Sequence, residues 1–153
     1  MKTAILACAL AATLSSVADA RDTKLPPDVR ALAAPDIINI YANKTIRYPT
    51  FTYYFGPDGH LVGYTKDRRS FGTGNWHVEG NEICMKSTWR AGQHSWSASY
   101  VSCSTWYSDG NAYWAQITRG GERGNVYKGN ASLVTNGDYV SDVVSKMKNT
   151  RRR

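Results

Sequence analysis

Residues 70–90 read SFGTGNWHVEGNEICMKSTWR, and the architecture is legible from this stretch outward. Gly80-Asn81 breaks it into two runs, 70–79 and 82–90, of the length and composition of paired strands. Along the second run Ile83, Met85 and Trp89 fall on one face, while Cys84, Lys86, Thr88 and Arg90 fall on the other. That two-residue period belongs to a half-buried strand.

The same punctuation recurs on both sides. Pro57-Asp58-Gly59, Gly74-Asn75, Asp109-Gly110-Asn111, Gly124-Asn125 and Gly129-Asn130 interrupt β-rich runs between Thr45 and Val134. The spacing predicts strands at 46–55, 60–66, 70–79, 82–90, 96–107, 111–118, 123–128 and 131–135. The expected fold is mainly β, an antiparallel meander or small barrel of seven to eight strands with a helix at either end. In the first, short helix Pro35 suits an opening position, Ile37, Ile38 and Tyr41 share a face, and Asn43 can take the left-handed conformation that ends it. After Gly137, Asp138 can cap a C-terminal amphipathic helix, with Tyr139, Val140, Val143, Val144 and Met147 forming its apolar stripe.

The 153 residues are 42% hydrophobic and 12% aromatic, with thirteen glycines, which excludes a disordered chain, a coiled coil and a collagen-like repeat. Lys2, the apolar stretch Ile5–Leu14 and Ala18-Asp19-Ala20 have the anatomy of a signal peptide over residues 1–20, cleaved after Ala20. The competing reading of Cys8 as a lipid-anchored cysteine leaves too little apolar sequence after Lys2. An exported, periplasmic or extracellular protein is expected, with no transmembrane segment. Residues 21–34, with Pro26-Pro27, read as an extended lead-in, residues 35–148 as one domain, and residues 149–153 as a basic tail. The net charge of +7 is concentrated at the end, in Lys146, Lys148, Arg151, Arg152 and Arg153. Such a tail is either a solvated terminus or a contact for an anionic polymer or lipid.

Once Cys8 is removed, Cys84 and Cys103 are left as an even pair, which in an exported domain reads as one disulfide. If 82–90 and 96–107 pair around Gly92, the two cysteines come opposite each other, on the face away from Ile83 and Met85.

Phe55-Gly56-Pro57-Asp58-Gly59, Gly72-Thr73-Gly74-Asn75-Trp76-His77-Val78 and Gly80-Asn81-Glu82-Ile83-Cys84, with a second cysteine some twenty residues on, resemble a proteobacterial exported family known as domain of unknown function 995. The short helix with Tyr41 and Asn43-Lys44-Thr45 shares in the likeness, which covers about residues 35–130. The resemblance implies an exported, disulfide-linked β domain and carries no catalytic residues with it.

The residues offer little chemistry of their own. His60, His77 and His94 stand seventeen apart, outside any metal-ligand spacing. No nucleophile elbow, P-loop or dinucleotide fingerprint is present, and Ser145-Lys146-Met147-Lys148 lacks the companions of an S-x-x-K site. No cofactor or metal is expected, and the leading expectation is a non-catalytic domain. Its aromatics suggest binding, since flat rings stack on sugars and other planar groups. Tyr54, Trp76, His77, Trp106, Tyr107 and Trp114 are the candidate binding residues. Consecutive rings such as Tyr53-Tyr54, Trp106-Tyr107 and Tyr113-Trp114 must point to opposite faces, so one of each pair leaves the principal core. The expected partner is an anionic envelope polymer, lipid or glycan, not a nucleic acid. Two alternatives are a periplasmic inhibitor of the lysozyme-inhibitor type, suggested by Ser108-Asp109-Gly110-Asn111-Ala112-Tyr113, and a small hydrolase.

Overall fold

A computed structural model describes residues 24–91, 94 and 96–150. The expected signal peptide, Cys8 and Arg151–Arg153 lie outside the described residues. Among the described residues no helix is long and apolar enough to cross a membrane.

The chain is mainly β. A two-residue strand β1 (Arg30–Ala31) precedes helix α1 (Ala34–Tyr41), which is followed by β2 (Lys44–Arg47), β3 (Phe51–Phe55), β4 (His60–Thr65), β5 (Ser70–Glu79), β6 (Glu82–Ala91), β7 (Tyr100–Ser108), β8 (Tyr113–Arg119) and β9 (Val126–Lys128). A 3-10 turn, Ala131–Leu133, leads into β10 (Val134–Asn136), and helix α2 (Ser141–Thr150) ends the described chain. The antiparallel order is β10-β2-β3-β4-β5-β6-β7-β8-β9, nine strands, with β1 paired to β7.

This order bends the sheet. Lys128 and Val134 stand on opposite edge strands. Laid flat, nine strands would hold those edges about 38 Å apart, whereas six residue steps reach about 21 Å at most. The sheet is therefore curled into a half-barrel, with the two edges brought toward each other by a short connector.

Two corrections to the strand reading follow. The run 46–55 is two strands, because Tyr48 N–H donates to Phe51 C=O at 2.8 Å and Pro49 sits in the tight turn between them. Residues 131–135 divide into the 3-10 turn and β10, which pairs back to β2. The first change brings the count along the sheet to nine, above the seven to eight expected. The strands at 70–79 and 82–91 are found as anticipated, and Gly80 takes φ 59° in the turn between them.

The concave face holds the main core. Tyr53, Phe55, Leu61, Trp76, Ile83, Trp106 and Ala115 line it, and α1 closes it with Ile37 and Tyr41. Ile38, expected on the same helix face, is instead 42% exposed. Its neighbour Ile37 takes the buried position, since adjacent helical residues sit about 100° apart and α1 presents only a narrow stripe to the sheet. Asn43 ends the helix at φ 56°, as anticipated.

A row across four strands, Tyr53–Gly63–Gly72–Trp89, shapes the concavity. A Cβ on Gly63 would stand 2.4 Å from the Tyr53 ring, and one on Gly72 2.8 Å from Trp89. Three strand spacings would separate the outer two residues by about 14 Å in a flat sheet. Over the two glycines their ring centroids come to 5.5 Å.

On the convex face α2 covers β4 and its neighbours. Val140 and Val144 pack with Tyr54 and Phe71, flanked by Val62, Tyr64 and Met147. Asp138 caps the lead-in, accepting hydrogen bonds from the N–H groups of Val140 and Ser141, both at 2.9 Å. Buried Thr45 ties that lead-in to β2, donating to Gly137 C=O at 2.7 Å and accepting from Tyr139 N–H at 3.1 Å.

Cys84 and Cys103 face each other across β6 and β7 and are joined by a disulfide. The bridge lies on the convex side, opposite Ile83, as the alternation implied.

Candidate functional site

The concave side is packed with rings and leaves little for a ligand. Trp76 donates its indole N–H to Gly56 C=O at 2.9 Å and packs on Tyr41 and Phe55. Trp106 meets Tyr41 edge-on at 5.8 Å. Tyr54 lies beneath α2 and donates to the Asn43 side chain at 3.1 Å. These three expected binding residues, Tyr54, Trp76 and Trp106, are buried and present no binding surface. Their rings are long enough to join the two cores, and the sequence pattern does not reveal that both faces of β3 are covered.

Burial has a consequence for the tyrosines. It pushes Tyr48 up to about 12 and raises Tyr41 well above its ordinary value. Tyr53 is raised for the same reason. A phenol with a raised folded pKa contributes stability that is complete below its unfolded value of 10.0 and is lost as pH climbs through its folded value. The fold should therefore weaken between pH 10 and about 12. In an alkaline titration followed by circular dichroism and tyrosinate absorbance, Tyr41, Tyr48 and Tyr53 should ionise together with loss of the β signal. Their ionisation in a folded domain would contradict this packing.

His60 stands on β4 beside the Asp58-Gly59 turn. Its ring Nδ1 meets the Asp58 carboxylate, which also accepts the His60 N–H, and the imidazole contact leads in holding Asp58 below the usual carboxylate range. This orients an imidazole, yet no hydroxyl or thiol is hydrogen-bonded to it among the described residues. His77 is exposed, opposite Cys84 on the convex face, and His94 is exposed in the β6–β7 connection. Glu82, Cys84 and Cys103 are close enough to suggest a metal site, but both sulfurs are spent in the disulfide.

The convex face of β7, β8 and β9 is different. Tyr107, Trp114 and Lys128 occupy one row across the three strands, in direct register. Tyr107 and Trp114 are half-buried and Lys128 is exposed. The Lys128 amino group stands 5.6 Å from the centre of the Trp114 ring, within cation–π range. Trp114 is held in place from below: its indole N–H donates to the Asp109 carboxylate at 3.0 Å. Asp109 in turn accepts from the N–H groups of Asn111 and Ala112 at 2.8 and 2.7 Å, an Asx turn that closes the β7–β8 hairpin. The Trp114 bond, followed by those backbone donors, keeps Asp109 below the usual carboxylate range. The row thus sets two half-buried rings in register, with an exposed cation over the Trp114 ring and that ring pinned by a turn carboxylate.

Of the expected binding residues, the structure brings together Tyr107 and Trp114; His77 lies on β5, two strands from Tyr107. Lys128 was missed by sequence reasoning, because its place opposite Trp114 depends on the β8–β9 register. Asp109 was read only as a turn former; the Asp-Gly turn five residues before a tryptophan was the available signal.

No curated protein and no solved structure matches this chain. One family model does, over residues 6–148, a span that takes in most of α2 and so extends past the 35–130 likeness seen in the motifs. The chain belongs to the family described as protein of unknown function (DUF995).

Proposed function

We propose that this protein is an exported, non-catalytic β domain that binds an envelope glycan on the convex row Tyr107–Trp114–Lys128. The observation that carries the reading is the Trp114 ring itself, fixed by Asp109, with a second ring and a cation in register on the neighbouring strands. A preorganised ring gains stacking energy on the apolar face of a sugar without a large ordering cost. The exposed Lys128 ammonium beside Trp114 favours a sugar that carries a carboxylate or phosphate. Export is supported by the signal-peptide anatomy of residues 1–20 and by the disulfide, which belongs to an oxidising compartment.

The test is retention on peptidoglycan, lipopolysaccharide and exopolysaccharide, comparing the protein with Trp114→Ala and Lys128→Gln. One of the three polymers should retain the protein, and Trp114→Ala should weaken that retention about tenfold with circular dichroism unchanged. Absence of retention on all three, or retention indifferent to Trp114, would remove the proposal.

A further inference from the structure

Along the flank of α2, beside its packed valines and over the β4–β5 turn, lies a cleft of about 450 Å³, lined by Arg68, Val143, Lys146, Met147 and Thr150. Arg68 comes from the β4–β5 turn, where its N–H donates to Thr65 C=O at 2.7 Å. The other four residues come from α2. The helix is held against β4 by Val140 and Val144, so the cleft is bounded by two elements locked in position.

Three features identify its chemistry. First, it presents two cations, and among the described residues neither Arg68 nor Lys146 is paired with a carboxylate. The nearby Asp67 is engaged instead by Arg69 and by the Thr65 hydroxyl. Second, apart from Thr150, whose hydroxyl donates to Lys146 C=O, its remaining wall is Val143 and Met147, a surface suited to alkyl groups. Third, Arg68 sits at φ 57°, a left-handed conformation that glycine adopts at less cost. The turn thus carries a guanidinium where its backbone would be better served by no side chain at all.

We infer that this cleft binds an alkyl phosphate ester, the chemistry of an anionic phospholipid headgroup. A guanidinium fork and an ammonium match a tetrahedral oxyanion, and the attached alkyl portion lies on Val143 and Met147. Across α2 from the cleft, Trp96 is 43% exposed against Phe71, and Lys148 lies over the same Phe71 ring at 5.6 Å. Tryptophan and basic side chains gather at membrane interfaces for the same physical reasons. This site shares no residue with the Tyr107–Trp114–Lys128 row, so either reading can fail without the other.

The variant Arg68→Gly removes the guanidinium while relieving the backbone, and Lys146→Gln keeps an exposed helical position in a good helix former. Protein purified from its native source, the R68G/K146Q pair and a K86Q/R119Q control of equal charge loss on the convex face are compared in two arms. One measures co-sedimentation with phosphatidylglycerol and with phosphatidylcholine vesicles; the other titrates soluble dihexanoyl phosphatidic acid by thermal shift. The protein should bind phosphatidylglycerol vesicles and not phosphatidylcholine, and R68G/K146Q should weaken this about tenfold while the control changes it little. A response to the soluble ester alone would keep the site and make its ligand a free molecule. Binding in neither arm, full binding by R68G/K146Q, or an equal loss in the control would overturn the inference.

Discussion

Trp76→Ala is expected to cost about 3–5 kcal/mol of stability, the range for truncating a buried aromatic. Three effects add. The indole is 6% exposed and contacts Tyr41 and Phe55, so its removal opens a cavity where the helix α1 meets the sheet. Its N–H is the donor to Gly56 C=O, a buried carbonyl in the β3–β4 connection, and truncation leaves that acceptor without this partner. The loss is comparable to the whole stability of many domains, about 5–15 kcal/mol. Trp76→Phe separates the terms, keeping most of the packing and losing the hydrogen bond, and should cost about 1–3 kcal/mol. Equilibrium urea unfolding of the three proteins at matched slopes reads both numbers. A Trp76→Ala midpoint equal to that of the parent protein would mean that the ring is not in the core.

Removing the disulfide should have the second largest effect. Cys84 and Cys103 close a loop with eighteen residues inside it, and in the chain-entropy account such a bridge stabilises by about 3 kcal/mol by restricting the unfolded state. The bridge is not the sole tie between these strands, because Glu82 through Ser87 pair in register with Thr105 back to Tyr100. C84A/C103A is therefore expected to keep the β circular dichroism of the parent and to unfold at lower denaturant. A reducing agent should shift the parent protein to the same midpoint and leave the double variant where it is. Identical midpoints for the oxidised and reduced parent would show the bridge to be absent or energetically idle.

Local chemistry explains which elements were readable before the structure. The strands around Gly80-Asn81 alternate over ten residues each, and their turn dipeptide offers the chain few other conformations. Asn43 at a helix end and Asp138 at a helix start act through bonds within a few residues, so their roles follow from adjacency. The cysteine pairing followed from count and register together. Tyr48-Pro49-Thr50 was passed over as strand because its neighbours on both sides are β formers, and a two-residue turn leaves almost no compositional trace. The candidate site was half legible. Tyr107 and Trp114 were named for their chemistry, but so were Tyr54, Trp76 and Trp106, which are equally aromatic and buried.

The amino-acid sequence by itself determined the β class, the positions of most turns, the cross-strand disulfide and the caps of both helices, because each is decided by residues close in the chain or by a period of two. Tertiary structure alone decided the curl that brings β9 and β10 toward each other, the burial of both faces of β3, and the register that sets Lys128 beside Trp114 and Arg68 beside Lys146. These depend on which distant surfaces meet, and hydrophobic burial has no direction of its own: it rewards any face that leaves water, so the outcome is settled only when α1 and α2 compete for the two sides of one sheet.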